Sequence, residues 1–304
     1  MPITLPQLSR REFLKRAALA GAATALAPSS YAGLFGKSRD KHTFAFFSDT
    51  HIAADTATVQ RGVNMADNLA ACVRELTMWR VKPAAVIVNG DLAMKAGLPD
   101  DYATFSKILE PVRALAPVHL NLGNHDQREH FWKALPQDAA DTKSVPQKQI
   151  ATIESDRANW FLLDSLAGTD VGNGQLGPSQ LTWLDWDLGA RSEKPAIIVG
   201  HHNLKSATFT SGLDDSSALA ELFVKHRHIK AFIFGHTHDW HAEEHSSGVQ
   251  LINLPPTGYV FKDGKPSGWV RCTLARDGAE FELRALDQKH PEHAQIKKLT
   301  RRTT

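Results

Sequence analysis

The chain has 304 residues, with 35 lysines and arginines against 33 aspartates and glutamates, a net charge of +2. Residues 1–32 hold four of those basic residues and one glutamate, so the remainder carries 31 basic against 32 acidic groups, a net of −1. That balance gives no basic surface for nucleic acid, and none is expected as a partner; the length left after residue 32 suits one large domain with an ample core.

Arg10 and Arg11 stand ahead of a weakly apolar Ala-rich run, residues 17–27, and Ser30-Tyr31-Ala32 before Gly33 is a small-x-small cleavage site. A charged start, a short apolar run and a small-residue site predict a signal peptide over residues 1–32. The paired arginines point to the twin-arginine export machinery of a bacterium, hence to the periplasm. An amphipathic N-terminal helix is the alternative. The run is short for a membrane span, so none is expected in the mature chain, although an uncleaved anchor stays open. Residues 33–41 read as a polar linker, 42–286 as the working domain, and 287–304 as a polar, basic, frayed tail.

The first strand is predicted over Thr43–Phe47 and ends in Asp49-Thr50-His51. A helix over 60–80 follows, with Val63, Ala66, Leu69, Ala70, Val73 and Leu76 near helical spacing. A second strand ends in Gly90-Asp91, completing a βαβ unit. Pro99-Asp100-Asp101 opens another helix, running to about Leu115. A third strand then ends in Gly123-Asn124-His125-Asp126, where a glycine permits a sharp turn and three polar residues follow. Residues 127–149 are irregular; Phe131 and Trp132 either pack or line a site.

Two strands around residues 150–153 and 160–163 come next, and the glycines of 168–177 lack any phosphate-loop spacing. The helix from Pro178 carries Trp183, Leu184, Trp186 and Leu188, read as core. A strand over 195–199 ends in Gly200-His201-His202, a loop runs from Asn203 to Asp215, and Ser216-Ser217 can cap a helix over 218–226. A strand over 229–234 ends in Gly235-His236-Thr237-His238. A strand over 250–254 and a hairpin turning at Asp277-Gly278 finish the chain. Cys72 falls in a predicted helix and Cys272 in a predicted strand; an exported protein could pair them, but they form no disulfide framework and no zinc spacing, and both read as small buried hydrophobes.

Five apolar runs thus each end in metal-ligand residue types. In open α/β sheets the ligand crevice lies outside the carboxyl ends of the strands, so all five endings can converge. Residues i and i+2 of an extended chain point the same way, which would let each Asp-x-His or His-x-His pair reach one cluster. Mixed βαβ units followed by a β-rich end predict two packed sheets with helices outside.

The ordered set Asp-x-His, Gly-Asp, Gly-Asn-His-Asp, Gly-His-His and Gly-His-x-His resembles the calcineurin-like metallophosphoesterase family, over roughly residues 42–285. The resemblance implies a four-layer α/β/β/α sandwich of two mixed sheets, and a phosphoesterase acting on a small phosphate ester. By resemblance, Asp49, His51 and His238 would hold one metal ion, Asn124, His201 and His236 a second, and Asp91 would bridge them. Mixed Asp, Asn and His donors suit Mn, Fe, Co or Zn. Two such ions about 3.5–4 Å apart can bridge a hydroxide that attacks phosphorus. His125 is left as general acid or phosphate clamp, with Asp126 holding its imidazole; His202 is either a substrate or outer contact or a structural histidine. His226, His228, His241, His245, His290 and His293 read as exposed, with a residual chance that His241 or His245 lines the pocket.

Leu162-Leu163-Asp164-Ser165, Gly174-Gln175-Leu176, Gln180-Leu181 with Trp183-Leu184, and Gly212-Leu213-Asp214-Asp215 are similar to the bacterial cyclic-nucleotide phosphodiesterase branch. Asn203 departs from it, since members usually carry proline after His-His. A phosphodiesterase is the leading expectation; an exported phosphomonoesterase or nucleotidase, or a non-catalytic metal-binding scaffold, are the alternatives.

Overall fold

The computed structural model describes residues 39–140, 144–206 and 210–300; the signal peptide expected over 1–32 lies outside them. Strand β1 (Arg39–Phe47) alternates its burial faces. Phe44 and Phe46 point to one side and Ala45 and Phe47 to the other, as the period of two in a strand requires. Both sides are buried, so the strand is central. It pairs parallel with β4 (Lys82–Asn89) and antiparallel with β12 (Gly268–Leu274). Strands β2 (Val59–Gln60) and β3 (Val63–Asn64) make a small hairpin through Arg61 and Gly62, both at positive φ, the geometry of a two-residue turn. This hairpin delays helix α1 to Met65–Met78, against the predicted start at residue 60. Asn64 caps it by accepting from the Asp67 amide at 3.0 Å.

The described residues build two six-stranded sheets. The first runs β14 (Ile296–Thr300), β13 (Gly278–Ala285), β12, β1, β4, β5 (Val118–Asn121). The second runs β10 (His241–Glu244), β11 (Gln250–Asn253), β9 (Ile229–Phe234), β8 (Ala196–Val199), β7 (Asn159–Leu162), β6 (Ala151–Glu154). Phe44, Phe46, Trp160, Ile233, Val270 and Phe281 interlock between the sheets, with the Phe44 and Trp160 rings 4.4 Å apart. Each such side chain contributes about 1.5–3 kcal/mol by leaving water. Helices α1, α2 (Pro99–Arg113) and α3 (Arg128–Ala134) cover the outer face of the first sheet. Helices α4 (Pro178–Ala190) and α5 (Ser216–Lys225) cover that of the second. The result is the expected α/β/β/α sandwich. No helix among the described residues is long and apolar enough to cross a membrane.

Several expectations change. The tail is not frayed up to residue 300: β14 pairs with the edge of β13 and sends Leu299 into the inter-sheet core. Trp186 is 69% exposed, because it lies two positions from the buried Leu184 on the opposite face of α4. Ser216 does not cap α5; its hydroxyl donates to Leu213 O at 2.6 Å, while Asp215 stands at the cap position. Phe131 packs on Tyr102, and Trp132 donates to the Gln149 side chain at 2.8 Å. Both therefore belong to the scaffold. Cys72 and Cys272 are free and buried, as expected.

Candidate metal centre

Strands β1, β4 and β5 of one sheet and β8 and β9 of the other end at the same edge of the sandwich. Two buried asparagines stitch the sheets together there. Asn89 donates to Gly200 O at 2.9 Å, and Asn121 donates to Asn89 Oδ1 at 3.1 Å and to Val199 O at 3.2 Å. The strand-end loops therefore leave from a common floor.

The loops are not extended, contrary to the expectation for the two i, i+2 pairs. Asp49, His51, Asp91, His236 and His238 all have φ between 47° and 66°. Each such left-handed residue costs about 1–3 kcal/mol and persists only where its surroundings over-determine it. Here Asp49 N and His51 N donate to Gly90 O and Asp91 O at 3.2 and 2.9 Å. The left-handed turns, and not the strand pleat, aim these side chains into one cluster.

Ligand atoms of Asp49, His51, Asp91 and His238 lie within 4.8 Å of one another, as do those of His201, His202 and His236. Asp91 joins the two groups: its Oδ2 is 3.7 Å from His51 Nε2 and 3.4 Å from His201 Nε2. The ring nitrogens are sorted by the backbone. His51, His201 and His238 place Nδ1 against the carbonyls of Met94, Asn89 and Tyr259, at 3.2, 2.9 and 2.5 Å. A carbonyl can only accept, so Nδ1 carries the proton and Nε2 offers its lone pair to the cluster. The Asn124 Oδ1 and His201 Nε2 atoms are buried with no hydrogen-bond partner. Such orphaned acceptors are costly without a ligand, and this donor set fits two borderline cations.

The electrostatics divide the cluster. Burial pushes Asp49 up to about 7, reinforced by the charge of Asp91. Burial opposes protonation of His201, but the Asp91 and Asp49 carboxylates outweigh it and hold the imidazole up at about 10, so a proton takes the place at Nε2 that a bound cation would fill. Against its own burial, Asp91 is held well below the usual carboxylate range by His201 and His51. Burial lowers His51 to about 4 and His236 to about 3. These imidazoles are thus neutral at pH 7, the state in which histidine binds metal.

Asp126 requires a correction. It does not touch the His125 ring. Its buried carboxylate accepts from Leu92 N, Ala93 N and Gly123 N at 3.2, 3.1 and 2.9 Å and from the Tyr102 hydroxyl at 3.1 Å. It therefore braces the loop after β4 against the turn after β5. His125 instead sets Nδ1 3.1 Å from Lys95 O and 3.5 Å from Asp170 Oδ1. Its backbone N–H donates to Asp91 Oδ1 at 2.9 Å.

His202 sits in the second group. Its Nδ1 is 2.8 Å from Ser165 Oγ, and its buried Nε2 has no partner. The Asp164-Ser165 motif explains itself here. Asp164 makes a two-pronged pair with Arg128 at 2.7 Å, Gln180 holds the Asp164 backbone, and Ser165 holds His202. Asn203, the departure from the branch pattern, donates to Leu204 O and Ser211 O and ties the following loop together.

A cleft of about 360 Å³ opens over the cluster, lined by Asp91, Asn124, His125, His236, His238 and Phe261 among others. His241 also lines it; His226 is instead paired with Asp185 at 2.6 Å. Tyr259 and Phe261 were missed from sequence. The Tyr259 ring stacks on His51 at 4.8 Å and Phe261 on His238 at 3.9 Å. They occupy an irregular segment with no period, after Pro255-Pro256.

Glycine is required beneath the cluster. A Cβ on Gly90, itself at φ +78°, would lie 2.6 Å from His201 Cγ and 2.9 Å from Gly123 N. We expect Gly90→Ala to fold but to lose most of its bound metal, measured by elemental analysis of the purified protein. Retention of two ions per chain would show that the His201 ring has room to move.

An α/β/β/α sandwich with a carboxylate and histidine cluster in a cleft at its strand ends is the architecture expected of a metal-dependent hydrolase of phosphoric esters. The chain belongs to the calcineurin-like phosphoesterase family, which it matches over residues 42–240. It is 28% identical over 258 residues to a 3',5'-cyclic adenosine monophosphate phosphodiesterase, CpdA, of Haemophilus influenzae, covering 79% of this chain and 89% of that one. It is 26% identical over 224 residues to a cAMP/cGMP dual specificity phosphodiesterase of Mycobacterium tuberculosis, covering 71% and 66% respectively. The fold is shared with a dimetal phosphatase from Danio rerio at a TM-score of 0.65 and 18% identity, over 86% of this chain and 99% of that one.

Proposed function

We propose that this chain is a phosphodiesterase with a two-metal centre, made as a twin-arginine precursor and working in the periplasm. The observation that carries the two-metal reading is the position of Asp91 Oδ2 between His51 of one ligand group and His201 of the other. Asp49, His51 and His238 would hold one ion, Asn124, His201 and His236 the other, and the two oxygens of Asp91 would serve both. Cations held there would supply charge neutralisation of the phosphate and activation of water as the nucleophile. His125 does the remaining work. Its Nδ1 is engaged by Lys95 O, so Nε2 faces the cleft and gives its proton to the departing oxygen. The diesterase preference is supported by the relatives, both phosphodiesterases, and by the Asp164-Ser165 network that anchors His202 beside the centre. The export reading is supported by Arg10-Arg11, the Ala-rich run and the Ser30-Tyr31-Ala32 site.

The test is hydrolysis of bis-p-nitrophenyl phosphate beside p-nitrophenyl phosphate, with Mn²⁺ and after chelation. We expect the diester to turn over faster and chelation to abolish both rates, with recovery on adding metal back. A faster monoester would make the enzyme a phosphatase or nucleotidase. No turnover with metals bound would make it a scaffold.

A further inference from the structure

The loop between β7 and α4 shows no phosphate-binding spacing, yet it is built onto the catalytic turn. The Asp170 amide donates to Asn124 O at 2.7 Å, and the Thr169 hydroxyl donates to Asp126 O at 2.8 Å. Asp170 itself is left-handed at φ +61°, in a turn closed by Val171 N to Gly168 O at 3.1 Å. This strained residue brings its carboxylate 3.5 Å from His125 Nδ1. Lys95 supplies the other anchor: its carbonyl lies 3.1 Å from Nδ1, and its ammonium lies 3.9 Å from the second Asp170 oxygen.

We propose that Asp170 is a positioning residue for proton transfer by His125: its carboxylate and the Lys95 carbonyl together orient the ring so that Nε2–H faces the leaving oxygen. The inference rests on the phosphodiesterase reading with His125 as acid. In the step concerned, the P–O bond breaks, its electron pair goes to the leaving oxygen, and that oxygen takes the proton as the Nε2–H bond breaks. Asp170 and the Lys95 carbonyl approach the same ring nitrogen from two different loops, so the ring is held by two contacts and not one.

The experiment compares methyl phenyl phosphate with methyl p-nitrophenyl phosphate, diesters of equal charge whose leaving groups differ in their need for a proton. Wild type, Asp170→Asn and His125→Ala are assayed as metal-loaded full chains, with metal content checked. General acid catalysis supplies roughly 10²–10⁴-fold. We expect D170N to lose about tenfold in kcat on the phenyl ester, as the oriented part of that effect, and less than about twofold on the nitrophenyl ester, whose leaving group needs no acid. The carboxylate that Asp170→Glu keeps should recover part of the loss. Equal losses on both esters would overturn the proposal and make Asp170 a structural loop residue. Tighter binding of both with kcat unchanged would overturn it too, leaving an electrostatic screen at the cleft mouth. If H125A itself shows no leaving-group dependence, the acid assignment of His125 fails and the role of Asp170 fails with it, while the metal centre stands. A D170N enzyme that matches wild type beside a strongly leaving-group-dependent H125A would overturn only Asp170.

Discussion

Asp91→Ala is expected to lower turnover on the order of a thousandfold or more and to leave less than two metal ions per chain. The carboxylate is 1% exposed and lies between the two histidine groups, so no solvent ligand arranged by chance can replace both its oxygens. A catalytic cation is worth several kcal/mol of charge stabilisation, and each 1.36 kcal/mol or so is a factor of ten in rate. Asp91→Asn sharpens the result. It keeps the shape and the contact to His125 N, but removes the negative charge that lies between the two ligand groups. Activity near wild type in D91A, with both ions retained, would take Asp91 out of the centre and leave the two ligand groups without a joint.

His125→Ala is expected to cut turnover on poor leaving groups by roughly 10²–10⁴-fold, the usual range for a lost general acid, while both metal ions stay bound. The reason for the second half is geometric. What His125 gives to the ligand framework is its backbone N–H, which reaches Asp91 Oδ1 at 2.9 Å, and alanine keeps that N–H. The ring is engaged elsewhere, with Lys95 O and Asp170. Metal analysis of the purified variant decides the matter: loss of an ion would move the imidazole from the substrate side to the ligand set.

Much of this site was readable in one dimension. An apolar run followed by glycine and a ligand residue marks the carboxyl end of a buried parallel strand. Five apolar runs, four of them closed by glycine, end in metal-ligand residue types, and the family resemblance picks Asp49, His51, Asp91, Asn124, His201, His236 and His238 from among them. What failed was inference from chain neighbours. Asp126 follows His125 in sequence, but the turn carries its carboxylate inward to three amides and Tyr102. The carboxylate that reaches His125 comes from Asp170, more than forty positions on. The tail showed the same limit: Lys297 and Lys298 mark a polar end, and only the open edge of β13 makes residues 296–300 a strand.

The residue types and their order, in periods of 2 and 3.6 broken by glycine, were enough for the strand ends and for two packed sheets with helices outside, because strands, helices and turns answer to local backbone and burial preferences; the donor set came with the family resemblance. The orientation of the donors was decided in three dimensions. Left-handed turns at Asp49, His51, Asp91, His236 and His238, carbonyl anchors from Met94, Asn89 and Tyr259, and the rings of Tyr259 and Phe261 all depend on two sheets meeting through Asn89 and Asn121. A strained φ and a fixed tautomer persist only where distant backbone holds them, and that backbone comes into place only when the sandwich closes.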